Sequence, residues 1–79
     1  MRLSQEKRDF LGAINDFRRL YMLSPSYIGL REHLKTLFPE EKLYHADNYV
    51  FNTVRELEKI GRVFLSKSEC SNRIRICVI

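Results

Sequence analysis

Residues 50 to 65 read Val-Phe-Asn-Thr-Val-Arg-Glu-Leu-Glu-Lys-Ile-Gly-Arg-Val-Phe-Leu, and the apolar period changes inside this stretch. Up to Ile60 the apolar residues Val50, Val54, Leu57 and Ile60 recur at steps of three and four, which is one face of an α-helix. Beyond Gly61 the period is two. Val63-Phe64-Leu65 is a β-branched and aromatic run, and Arg73 to Ile79 alternates, with Arg73, Arg75 and Cys77 opposite Ile74, Ile76 and Val78. Gly61 follows the last periodic residue, the usual place for a left-handed helix cap. The stretch therefore predicts a helix over about 46–60, then a hairpin with one buried face, its strands over about 62–66 and 73–79. Asp47 is the best capping residue for the helix, with Tyr44 or His45 the alternatives if it begins earlier.

Upstream, Ser4 precedes Phe10, Leu11, Ile14, Phe17, Leu20 and Tyr21 at helical spacing, predicting a first helix over about 5–22 capped by Ser4. Gly12 inside it costs about 1 kcal/mol relative to alanine. Leu23-Ser24-Pro25-Ser26 breaks the pattern, and either serine can cap the next helix. Ser26 is preferred, because Ile28, Leu30, Leu34, Leu37 and Phe38 then form the stripe of a second helix over about 27–38. Pro39 stops it. Glu40 to His45 is a polar connector anchored by Leu43 and Tyr44.

Seventy-nine residues make one domain, 1–79, with a small core. A hydrophobic fraction of 44% and a charged fraction of 30% are those of a folded soluble chain. No apolar run exceeds four residues, and the charged N-terminus lacks the apolar block of a signal peptide, so the expectation is a cytoplasmic protein without membrane contact. The net charge of +4 lies at one end. Residues 1–58 carry nine basic and nine acidic side chains, whereas the remainder has Lys59, Arg62, Lys67, Arg73 and Arg75 against Glu69 alone. A basic end on a neutral body suits a polyanion.

Catalysis and metal binding find no support in the sequence. There is no Gly-rich phosphate loop, no His-Glu metal pair, and no Ser or Cys set beside a histidine. His33 lies among charged residues and His45 in a connector, both ordinary surface or capping positions. No cofactor is expected. Cys70 and Cys77 lack zinc-ligand spacing, and in an extended segment they stand roughly 20 Å apart, too far to bridge without a turn. Cys77 reads as a small apolar residue, with an intersubunit disulfide as the alternative.

The order helix, helix, helix, hairpin resembles a winged helix-turn-helix domain over about residues 4–79. Ser24-Pro25-Ser26-Tyr27, opening a helix, and Leu57-Glu58-Lys59-Ile60-Gly61-Arg62-Val63, closing one before a strand, carry the resemblance. It implies an α+β fold of three helices and a two-stranded β-hairpin wing, and a transcriptional regulator that binds double-stranded DNA. Small free-standing winged helices of this size are common among regulators of archaeal viruses and plasmids, which sets the expected source and, for a virus, a host-cytoplasm location. One departure stands out. Pro39 to Ala46 is about eight residues where the family has a turn of three or four, so an extra helical turn or a changed interhelical angle must absorb them.

If the third helix enters the major groove, Val50, Val54 and Leu57 face inward, and Asn48, Tyr49, Asn52, Thr53 and Arg55 are left to contact DNA. A carboxamide at Asn52 matches adenine N6 and N7, and Arg55 matches guanine O6 and N7 or a phosphate. Asn48 and Tyr49 reach bases, a thymine methyl or the backbone. Asp47, Glu56 and Glu58 offset Arg55 and Lys59, so attraction for phosphate must come from elsewhere. Lys67, Arg73 and Arg75 of the wing are the obvious source, with Arg31 and Lys35 on one face of the second helix and its N-terminal amides at Ser26 and Tyr27. Solvation beside Glu32 is an equal reading of Arg31 and Lys35. Two half-sites about 34 Å apart call for a homodimer, with the first helix and its Phe10, Phe17, Leu20 and Tyr21 as the contact. The rival function is a winged-helix protein-interaction module that does not bind DNA.

Overall fold

The computed structural model describes residues 3–67 and 73–79. In chain order it has α1 (Gln5–Tyr21), α2 (Tyr27–Leu37), a 3₁₀ turn (Lys42–His45), α3 (Asp47–Lys59), β1 (Val63–Lys67) and β2 (Ile74–Val78). The strands pair antiparallel in the register Val63 with Val78, Leu65 with Ile76 and Lys67 with Ile74. Three helices followed by a two-stranded hairpin is an α+β layout, that of a winged helix.

Each element ends for a local reason. Ser26 caps α2, its hydroxyl accepting from the Gly29 amide at 3.1 Å. Gly61 (φ 77°) closes α3, with the Arg62 amide on the Leu57 carbonyl at 2.9 Å and the Gly61 amide on Glu58 at 3.1 Å. That pair of bonds is a Schellman motif, which needs the left-handed residue that glycine supplies without a Cβ penalty. Ser4 occupies the N-cap of α1, but its hydroxyl makes no capping bond to the backbone. The α3 cap is Ala46 rather than Asp47. Asp47 sits one position inside the helix, where its carboxylate meets Arg31 at 2.9 Å. The long connector is absorbed by the 3₁₀ turn, held to the end of α2 by the His45 ring donating from Nε2 to the Phe38 carbonyl at 3.0 Å.

The core is the set of apolar side chains that the two periods turn inward. Phe10, Ala13 and Ile14 of α1, Leu30 and Leu34 of α2, Tyr44, Val50, Val54 and Leu57 of α3, Val63 and Ile76 are all buried. Three expectations about these faces change. Leu20 and Tyr21 of α1 are more than half exposed, because burial along that stripe fades after Ile14, with Phe17 only half-buried. Ile28 and Leu37 point outward, and His33 takes the inner position at i+3 from Leu30. His33 is only 8% exposed, its Nε2 lying 2.7 Å from Asp16 Oδ2, so it is a buried interhelical partner and not a surface residue.

The hairpin is fastened to the helices through backbone bonds. The Pro25 carbonyl accepts from the Ile76 amide at 2.7 Å, and Ser26 forms an antiparallel bridge with Arg75. The turn before α2 thus covers the outer edge of β2, an edge otherwise open to another strand. This places the wing beside the N-terminus of α2 and along the C-terminal half of α3.

Candidate nucleic-acid interface

Four residues of α3 are buried: Val50, Thr53, Val54 and Leu57. This i, i+3, i+4, i+7 set fixes the rotation of the helix, and the opposite stripe at the same spacing is Asn48, Phe51, Asn52 and Arg55. All four are exposed. Asn48, Asn52 and Arg55 of the expected base-contact set therefore lie together on the solvent-facing side of α3.

Thr53 and Tyr49 do not. Thr53 is 7% exposed on the inner face. Tyr49 turns toward α1, stacked on Tyr44 at 5.9 Å and edge-on to Phe10 at 6.0 Å, with its side chain hydrogen-bonded to Thr53. Both are withdrawn from the expected base-contact set. The physical reason is the i+3 position: Thr53 falls on the inner face with Val50, and its side chain is hydrogen-bonded to the tyrosine one turn before it.

Phe51 lies outside that set and is 44% exposed. Its ring lies 5.4 Å from that of Tyr27, and the Arg55 guanidinium sits 5.6 Å above its centroid. The signal is present in the sequence, since Phe51 lies off the 50-54-57 stripe and three residues from Asn48. Ile74 and Leu65 of the wing border the same surface, with Tyr27, Phe51, Arg55 and Glu58.

The acidic residues of α3 are largely turned aside. Asp47 pairs with Arg31 at 2.9 Å and Glu56 with Lys7 at 3.2 Å, both on the flanks. Arg55 is left as the charge of the outer stripe, with Glu58 one turn on. On α2 the ion pairs favour the second of the two expectations, pairing with Glu32. Arg31 is held between Asp47 and Glu32, and Lys35 lies 3.8 Å from Glu32, so these two cations are engaged within the chain. Tyr27 is half-buried against Phe51, and Ser26 is spent on its cap.

On the wing, Lys67 and Arg73 are exposed at the strand ends farthest from Gly61. Arg75 has a different position. Its Nη1 donates to the Ser24 carbonyl at 2.9 Å, making it a clamp between wing and turn. Cys77 is a half-buried free thiol paired across the hairpin with Phe64, and Cys70 lies outside the described residues.

Burial raises the phenols of Tyr27, Tyr49 and Tyr44 above their ordinary value, most strongly Tyr44, whose hydroxyl also donates to Asp9 at 2.8 Å. The Asp16 carboxyl is held below its usual value, chiefly by the hydrogen bond from His33 and then by Arg19. Asp16, Tyr44 and Tyr49 tie α1 to its neighbours, away from the outer stripe of α3, whereas Tyr27 lies against that stripe through Phe51. Among the described residues, no cluster of three His, Cys, Asp or Glu is placed to hold a metal, and no helix is long and apolar enough to cross a membrane. No family model, curated protein or solved structure matches the chain.

Proposed function

We propose that the chain is a transcriptional regulator of the winged-helix kind, acting in the cytoplasm on double-stranded DNA. The observation that carries the reading is the outer stripe of α3. Asn48, Asn52 and Arg55 project at one-turn spacing from a helix two of whose three acids, Asp47 and Glu56, are paired on its flanks, and a major groove about 12 Å wide admits such a helix. The wing runs alongside, and Lys67 and Arg73 at its end supply the attraction for phosphate that the helix lacks. Arg75 and Arg31 act in support, holding the wing and the start of α3 in place, while Lys35 pairs with Glu32 on α2.

A homodimer completes the reading. A body of 35 × 28 × 24 Å presents one α3 and covers one half-site. Phe10 is fully buried and Phe17 partly so, which leaves Leu20, Tyr21, Met22 and Leu23 at the end of α1 as the dimer contact, each 43–88% exposed.

The test is fluorescence anisotropy with duplex DNA over a salt series. Binding that weakens steeply from 50 to 200 mM salt supports the reading. Absence of binding at 50 mM refutes it. The second reading, a protein-interaction module, is favoured by Ile28, Phe51, Phe64 and Ile74, apolar residues 38–69% exposed around the wing and α3. That reading predicts no retention on duplex DNA or heparin at any salt concentration.

A further inference from the structure

Polar recognition accounts for Asn48, Asn52 and Arg55 but not for the aromatic ring between them. Phe51 is nearly half exposed at the centre of the outer stripe. Tyr27 supports it from α2 at 5.4 Å, and the Arg55 guanidinium covers one face at 5.6 Å. The ring is thus held in one orientation before anything binds, so little rotamer freedom is lost on contact. The recess in front of it continues over Tyr27 and Ile28 and is bordered by Asn48.

Within the reading of α3 as the base-reading helix, we infer that Phe51 reads the C5 methyl of thymine while Asn48 and Asn52 read adenine, making the site selective for A·T pairs. Thymine alone among the bases presents an apolar group in the major groove, and a phenylalanine contact with it is a recognised form of readout. A carboxamide pairs with adenine N6 and N7. Asn52 is the next residue after Phe51 and Asn48 lies one turn before it, so the three contacts fall on neighbouring base pairs. A protein partner fits this surface less well, because the same patch would bury two carboxamides that each need several hydrogen bonds.

The test uses wild-type protein and a duplex selected from a random pool, remade with each thymine replaced singly by uracil. That change removes one methyl and leaves base pairing intact. At one or two positions the affinity should fall about fourfold, the worth of one buried methyl-sized group. Phe51→Ala should bind the thymine and uracil forms of those positions equally, while Asn52→Ala keeps the thymine preference and loses discrimination at an adenine. Unchanged wild-type affinity across the whole uracil series overturns the inference and leaves DNA binding standing. Phe51→Ala that matches wild type on every duplex, uracil forms included, assigns the ring to a protein partner and also overturns it. Absence of any duplex binding at 50 mM salt removes the regulator reading and this inference together.

Discussion

Asn52 and Thr53 are adjacent in the chain yet stand on opposite sides of α3, so alanine at each separates recognition from stability. Thr53 is 7% exposed and hydrogen-bonded to Tyr49. Thr53→Ala removes one hydrogen bond, worth about 1 kcal/mol net, and one buried methyl worth about 0.8 kcal/mol. The combined loss of roughly 1–2 kcal/mol lowers the melting temperature by roughly 5–15 °C in a chain of this size. Asn52 is exposed, and its replacement should stay within about 0.5 kcal/mol of wild type. Its effect belongs to binding, where loss of a bidentate adenine contact costs about 1–3 kcal/mol of discrimination, roughly 5- to 150-fold. Thermal melts followed by circular dichroism, paired with anisotropy on matched and single-mismatch duplexes, read both quantities. Thr53→Ala with a wild-type melting temperature and altered base preference would refute the rotation of α3 on which the interface rests.

The other contacts can be perturbed singly in the same way. Lys67→Ala and Arg73→Ala should each weaken all duplexes alike and reduce the slope of log affinity against log salt by about 0.9, seen in a salt titration. Arg75→Ala should instead destabilise the fold by about 1 kcal/mol, because it removes the bond to the Ser24 carbonyl that clamps the wing, and urea unfolding measures it. Gly12→Ala should stabilise α1 by about 1 kcal/mol in the same assay, since a Cβ there meets nothing within 4 Å. The Asp16 carboxyl titrates lower in the folded than in the unfolded chain, so its contribution is present above its ordinary value of 3.8 and is lost as pH falls through the folded value. Asp16→Asn should flatten the acid limb of a stability-against-pH curve below about pH 4, and an unchanged limb would show that His33 does not act through it.

The helices and the hairpin are legible in the sequence because each has a clean period and a local stop signal. Ser26, Pro39 and Gly61 act locally, through a side-chain cap, a fixed φ and a left-handed φ respectively, so their roles can be read one residue at a time. The rotation of α3 is harder. Thr53 carries a hydroxyl, which reads as outward, yet it lies at i+3 from Val50 on the buried face, with Tyr49 one turn before it as its hydrogen-bond partner. His33 reads as a surface residue because its partner Asp16 lies seventeen residues away on another helix. Arg75 alternates correctly with Ile74 and Ile76, but its guanidinium is directed by a carbonyl 51 residues upstream. Of the five basic residues that carry the surplus of +4, the three on the wing strands and their ends divide between a clamp at Arg75 and exposed cations at Lys67 and Arg73.

Amide chemical-shift mapping of the 79-residue chain during titration with its selected duplex tests the central claim most directly. The account predicts the largest changes at Asn48, Phe51, Asn52 and Arg55 and at Lys67 and Arg73, with the buried side of α3 responding more weakly. Changes confined to Leu20 through Leu23 at the end of α1, or none anywhere at 50 mM salt, would contradict it.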